Sequence, residues 1–109
     1  MPDRTRMLFA TALYTGAIDD AALLDDLAHS IRTLARDDLA GRKWCRDHHY
    51  AGYTSYASLD DLPRRDPAFA ALARQLARHA ADFAKELGWT VKPRLDSLWV
   101  NLLKPGGQH

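Results

Sequence analysis

The stretch that most constrains the fold is DPAFAALARQLARHAADFAKELG, at positions 66–88. Asp66 can cap the free amides of a first helical turn, Pro67 suits the first helical position, and Gly88 can end a helix with positive φ. Between these signals, apolar or aromatic side chains recur every three or four residues: Phe69, Leu72, Leu76, His79, Phe83 and Leu87. The pattern predicts a long amphipathic helix with one buried stripe.

A second helix is predicted within IDDAALLDDLAHSIRTLARDD, at 18–38. Its apolar stripe consists of Leu23, Leu24, Leu27, Ile31 and Leu34. Asp19 is the predicted N-cap, and Ile18 with Leu23 are placed to form a hydrophobic staple.

Strands are predicted at both ends of the chain. MLFATALYTGAI, at 7–18, is rich in residues that favour strands, and so is WTVKPRLDSLWVNLLK, at 89–104, where Pro93 limits the start to an edge or an irregular turn. Positions 39–66 have no clean period, and their aromatics favour an ordered loop. We therefore expect an α+β fold over 1–109, as one domain or part of one, with two main helices on a few mostly antiparallel strands.

Composition excludes several classes of protein. The 109 residues are 47% hydrophobic and 27% charged, which suits a single globular domain. A formal charge of +1 predicts neither a nucleic-acid nor an anionic-membrane partner, and no apolar run approaches the roughly 20 residues of a membrane span. Cys45 has no second cysteine to pair with and no apolar signal segment is visible, which favours the cytoplasm.

The closing stretch DSLWVNLLKPGGQH places a polar side chain on an apolar strand. Alternation assigns Trp99, Asn101 and Leu103 to one face. The Asn101 amide has two interpretations: it pairs with a neighbouring loop, or it anchors a ligand. The Pro-Gly-Gly turn normally leads to a partner strand, so an open edge that self-associates is also expected.

Other candidate chemistry lies between the helices. Cys45, His48 and His49 have ligand-type side chains, but a closed zinc site needs four ligands, so loop hydrogen bonding is the default interpretation. Three tyrosines at a spacing of three suggest either a stacking platform or packing against the core, and packing is favoured: Tyr50, Tyr53 and Tyr56.

Two further histidines are not expected to bind metal. His79 lies within the apolar stripe of the long helix, where a hydrogen-bonded boundary histidine is the usual finding. His109 is the last residue, and chain termini are poor places for a metal ligand.

Three stretches together resemble the N-terminal half of bacterial 2-oxoglutarate/Fe(II)-dependent dioxygenases: LFATALYTGAI, then GYTSYASLDDL followed by DPAFAALARQLARHAADFAKELG, then SLWVNLLKPGGQH. The resemblance covers nearly the whole chain in the same order. It implies the N-terminal part of a double-stranded β-helix, or jelly roll, that binds Fe(II) through a His-x-Asp or similar motif and a distal His. Those ligands would lie beyond this chain.

The resemblance also implies roles for individual residues. Related oxygenases use Asn-x-Tyr-x-Pro-Gly to contact 2-oxoglutarate; Asn101 matches this pattern, whereas Leu103 replaces the Tyr. Tyr53 belongs to a loop near the catalytic mouth, and Trp99 neighbours Asn101, so both are expected substrate contacts. No catalytic or metal residue is expected within the chain, and alone it should bind neither Fe(II) nor 2-oxoglutarate and should be inactive.

Two functions remain open from the sequence. One is the N-terminal portion of an oxygenase that hydroxylates an unknown small-molecule or protein substrate. The alternative is a small α+β interaction module that self-associates through an exposed strand edge.

Overall fold

The computed structural model describes residues 3–107. Within them, four helices and a two-stranded sheet follow in this order: α1 (Ala21–Asp37), α2 (Leu39–Asp47), β1 (Gly52–Thr54), α3 (Leu62–Arg65), α4 (Pro67–Glu86) and β2 (Asn101–Leu103). This part of the chain is therefore α+β, and α1 and α4 are the two main helices predicted from the sequence.

Helix α4 begins and ends at the predicted signals. The Asp66 carboxylate accepts a hydrogen bond from the backbone N–H of Ala68 at 2.8 Å, with Pro67 as the first helical residue. Gly88 adopts φ 74° just beyond the helix, a conformation that costs glycine nothing. Phe69 on its apolar stripe is only 2% exposed.

Helix α1 begins one residue later than predicted. Asp20, and not Asp19, is the N-cap, because its Oδ1 accepts from the N–H of Leu23 at 3.0 Å, three residues along. The buried face of α1 packs with α3, α4 and the two-stranded sheet in one core. Its buried members are Leu23, Leu27, Tyr53, Leu62, Ala68, Phe69 and Val100.

Three predictions about the remaining segments were wrong. Positions 7–18 contain no strand, and of positions 89–104 only Asn101–Leu103 is strand. Positions 39–66 are not an unbroken loop, since they contain α2, β1 and α3. The strand predictions failed because β-forming residues become a strand only where a partner strand accepts their backbone hydrogen bonds.

The sheet consists of two antiparallel strands that are far apart in the sequence, with α3 and α4 between them. Tyr53 lies opposite Leu102 and Thr54 opposite Asn101. Ser55 extends the pairing, because its N–H donates to the Val100 carbonyl at 3.0 Å and its hydroxyl accepts from the Val100 N–H at 2.9 Å. Each strand has one partner in the described chain, so each has one unpaired edge.

The chain is more extended than a compact domain of its length. Its radius of gyration is 18.7 Å, whereas about 13 Å is expected for 109 residues. Its accessible surface is 8977 Å², against about 6,000 Å² for a compact monomer of 12.2 kDa. Two segments have no regular structure: 3–19, which precedes α1, and 89–100, which connects α4 to β2.

Within residues 3–107, no helix has the length and apolar character needed to cross a membrane.

Candidate functional site

The side chain of Asn101 on β2 is hydrogen-bonded to Thr54 on β1. The Thr54 hydroxyl, on a side chain that is 2% exposed, donates to Asn101 Oδ1 at 2.7 Å and accepts from the Tyr56 N–H at 3.3 Å. The amide carbonyl is therefore occupied, and Nδ2 has no protein partner within the described residues. A primary amide nitrogen donates two hydrogen bonds, which suits a carboxylate oxygen. Internal pairing and ligand anchoring are thus compatible at this residue.

An exposed aromatic pair is connected to this amide through Thr54. The rings of Tyr56 and Trp99 meet edge to face with centroids 5.2 Å apart, and the residues are 64% and 39% exposed. Tyr56 also contributes the N–H that fixes the Thr54 hydroxyl. Trp99 and Asn101 are two of the site residues predicted from the sequence. In the structure a chain of contacts through Tyr56 and Thr54 connects them, and the sequence did not indicate this connection.

Tyr53 belongs to a different environment. Neighbouring residues of a strand face opposite sides, and Tyr53, next to Thr54, is 5% exposed within the core. Its hydroxyl donates to Asp38 Oδ2 at 2.7 Å. The structure thus assigns Tyr53 a packing contact, as favoured for the tyrosines, while substrate contact by Tyr53 stays a prediction.

Asp38 is a polar centre that sequence reasoning missed. Its carboxylate accepts from the hydroxyls of Tyr53 and Ser58, at 2.7 and 2.6 Å, and from the Gly41 N–H at 3.1 Å. Burial raises the pKa of Asp38, but the three hydrogen bonds, together with the charge of Arg65, outweigh it and hold the pKa below its usual value. The available signal was an Asp three residues before Gly41, at the boundary of two helices.

The same contact changes the acidity of the phenol. Burial, followed by the hydrogen bond and the charge of Asp38, raises the pKa of Tyr53 well above its ordinary value. Tyr53 therefore remains a neutral hydrogen-bond donor over the physiological pH range.

The Cys45–His48–His49 segment does not form a metal centre. Cys45 is buried, while His48 stacks on Trp44 with centroids 4.1 Å apart and donates from Nδ1 to the Trp44 carbonyl at 2.8 Å. Within residues 3–107, no group of three or more His, Cys, Asp and Glu could hold a metal ion. The described residues therefore do not fit a resident iron. His109 lies outside them.

His79 is hydrogen-bonded on both ring nitrogens. Nε2 lies 3.0 Å from the Ala17 carbonyl, which can only accept, so Nε2 carries the proton. Nδ1 then accepts from the Tyr14 hydroxyl at 2.7 Å. This is the hydrogen-bonded boundary histidine expected from the sequence, and it fastens the N-terminal segment to α4.

Comparison of the chain with family models finds no match, and comparison with curated proteins finds none either.

Proposed function

We propose that this chain is the N-terminal portion of a 2-oxoglutarate/Fe(II)-dependent oxygenase. The proposal is carried by one observation: the irregular segments 3–19 and 89–100 expose many apolar side chains, and each strand of the two-stranded sheet has one unpaired edge within the described chain. The apolar side chains on these segments include Met7, Leu8, Phe9, Leu13, Trp89, Val91 and Leu95, each 48% exposed or more. Such apolar surface suits burial beneath further chain, which the additional sheet of a jelly roll would provide.

The chain would contribute binding groups, and the metal site would lie elsewhere in the protein. The free Nδ2 donors of Asn101 would hold a carboxylate of 2-oxoglutarate, with the carbonyl end fixed by Thr54. Trp99 and Tyr56 would form an aromatic edge for the substrate. Fe(II), held by another part of the longer protein, would supply the chemistry that couples oxidation of 2-oxoglutarate by O2 to hydroxylation of the substrate.

The first test is to read the gene beyond codon 109. A continuation encoding His-x-Asp or His-x-His and a later His is expected, and an immediate stop codon would refute the proposal.

The second test uses the longer chain with Fe(II), measuring succinate formed from 2-oxoglutarate. Asn101→Ala should raise the KM for 2-oxoglutarate by about tenfold, the usual effect of losing a hydrogen bond to a charged group. Gln75→Ala, on α4 and away from the site, is the control and should leave KM unchanged. An unchanged KM in the Asn101 variant would remove this residue from the co-substrate site.

A second candidate is a self-associating α+β module. It is favoured by the surface area, since roughly 2,900 Å² beyond that of a compact monomer exceeds the ~800 Å² per partner of a standard interface. The chain alone should then associate through its strand edges and extended segments. Light scattering at increasing concentration tests this, and a clean monomer at high concentration would argue against it.

A further inference from the structure

A cationic cavity lies away from Asn101, between the end of α1, helix α2 and strand β1. It has a volume of about 480 Å³, and its walls include three arginines: Arg36, Arg42 and Arg46. Its other polar or polarisable lining groups are Tyr50, Tyr53 and Cys45. No carboxylate is among the described residues that line it.

Two of the three arginines form no ion pair within the described residues, although the Asp47 carboxylate interacts with the charge of Arg46. Arg36 forms two hydrogen bonds with the exposed carboxylate of Asp37, at 2.7 and 2.9 Å. In contrast, within residues 3–107 no carboxylate forms an ion pair with Arg42 or Arg46. The one ion pair internal to α2 joins Lys43 to Asp47.

The helix places these two charges together. Arg42 and Arg46 are four residues apart on α2, so they lie on the same face, and like charges at this spacing repel. Arg42 is partly fixed, because its Nη1 donates to the Arg36 carbonyl at 3.3 Å, at the end of α1. A bound anion would relieve the repulsion between the two guanidinium groups.

An adjoining cavity adds a further cation. It has a volume of about 520 Å³, shares Tyr50, Gly52 and Tyr53 with the first, and is also lined by Lys104. The two cavities adjoin at β1, and together, as a trough, they are lined by three arginines, one lysine and two tyrosines.

We propose that this trough binds a small molecule carrying an oxyanion group, a phosphate or a carboxylate, at Arg42 and Arg46. The guanidinium fork matches the paired oxygens of either group, and the half-buried Tyr50, which lines both cavities, offers contact area to the remainder of the ligand. This site is independent of the Asn101 cluster and of the proposed oxygenase function.

The test is a titration of the chain with inorganic phosphate and, separately, with malonate, followed by backbone and arginine side-chain NMR. Saturable shifts are expected at Arg42, Arg46 and Tyr50 with at least one probe. Saturation by phosphate alone identifies a phosphate ligand, and saturation by malonate alone identifies a carboxylate ligand.

Variants decide whether the arginine pair is responsible. Arg42→Gln with Arg46→Gln should weaken binding by about tenfold or more, as expected for the loss of charged hydrogen bonds. Arg46→Lys keeps the charge but loses the fork, and should give a smaller loss. Arg74→Gln with Arg78→Gln is the matched control, since this pair has the same spacing on the exposed face of α4.

Circular dichroism and unliganded NMR spectra of each variant establish that α2 is still folded. Shifts no larger than those caused by sodium chloride at equal ionic strength would overturn the proposal. Equal weakening by the Arg74/Arg78 control would overturn it as well.

Discussion

The Asp38 carboxylate accepts hydrogen bonds from three separate parts of the chain. It lies between α1 and α2, caps α2 through the Gly41 N–H, and accepts from Tyr53 on β1 and from Ser58. A carboxylate that accepts several hydrogen bonds is costly to remove, because each buried donor then loses its partner.

Replacing Asp38 by Ala should therefore destabilise the chain by about 2–4 kcal/mol, the combined effect of a lost helix cap and lost charged hydrogen bonds. Urea denaturation followed by circular dichroism measures this. The neighbouring Asp37→Ala is the control, because Asp37 pairs only with Arg36 at the surface and should change stability by less than about 0.5 kcal/mol. Equal losses in both variants would contradict the role given to Asp38.

The same residue predicts a dependence on acid. Because the folded-state pKa of Asp38 is lowered, its contribution is complete above the ordinary Asp value of about 3.9 and is lost as pH falls through the lower folded-state pKa. The free energy of unfolding, measured by urea titration at several pH values, should decline below about pH 4. The Asp38→Ala variant should decline less steeply than the parent, and parallel curves would refute this.

Tyr53 predicts a loss of stability at alkaline pH. Its pKa is raised, so its contribution is present below the ordinary Tyr value of about 10 and is lost as pH rises through the higher folded-state pKa. Tyr53→Phe should remove this alkaline decline, whereas Tyr56→Phe, at an exposed ring, should retain it. Urea titrations above pH about 10 make the comparison.

At the scale of elements, the sequence predicted the long helices and missed the short helices and the true bounds of the short strands. Helices α1 and α4 carry apolar stripes over several turns, so their pattern is unambiguous. Helix α2 has only two buried residues, Gly41 and Cys45, and neither is a strong apolar signal. The strands have three residues each, which is too few for alternation to be recognised.

The candidate site was predictable to a similar extent. Asn101 and Trp99 were noticed because a polar group and a large aromatic interrupt an apolar run. Thr54 and Asp38 were missed because their importance arises from pairing across the chain: Thr54 is 47 residues from Asn101. A single sequence contains no local signal for such a contact.

The pairing of β1 with β2 depends on the glycine at position 52. A Cβ there would meet the backbone carbonyl oxygen of Leu102 in the partner strand and lie 3.2 Å from Leu103 Cδ2. Gly52→Ala should cost about 1–3 kcal/mol, as other overpacking changes do, and should accelerate amide hydrogen exchange in β2. Ala51→Ser, at the exposed preceding position, is the control. Unchanged exchange in the Gly52 variant would contradict the pairing.

At the scale of the whole molecule, the exposed segments dominate. Phe9 is 100% exposed and Leu13 is 88% exposed, in a chain whose radius of gyration is well above that of a compact domain. Apolar surface of this extent is a common cause of association.

If the exposed segments drive association, Phe9→Ser with Leu13→Ser should lower the average mass that light scattering measures at high concentration. The control is Leu39→Ser, which removes a 73% exposed leucine from α2, outside the extended segments. An equal effect of the control would show that general hydrophobicity, and not the N-terminal segment, is responsible.

The junction of α1 and α2 has a consequence for changes in chain length. One residue separates the two helices, so a single insertion there would rotate α2 by about 100° about its axis and carry Cys45 away from the interior. Positions 89–99 have no regular structure, and an extra residue there displaces no helix. Insertions and deletions should therefore be tolerated after α4 and rejected at Asp38.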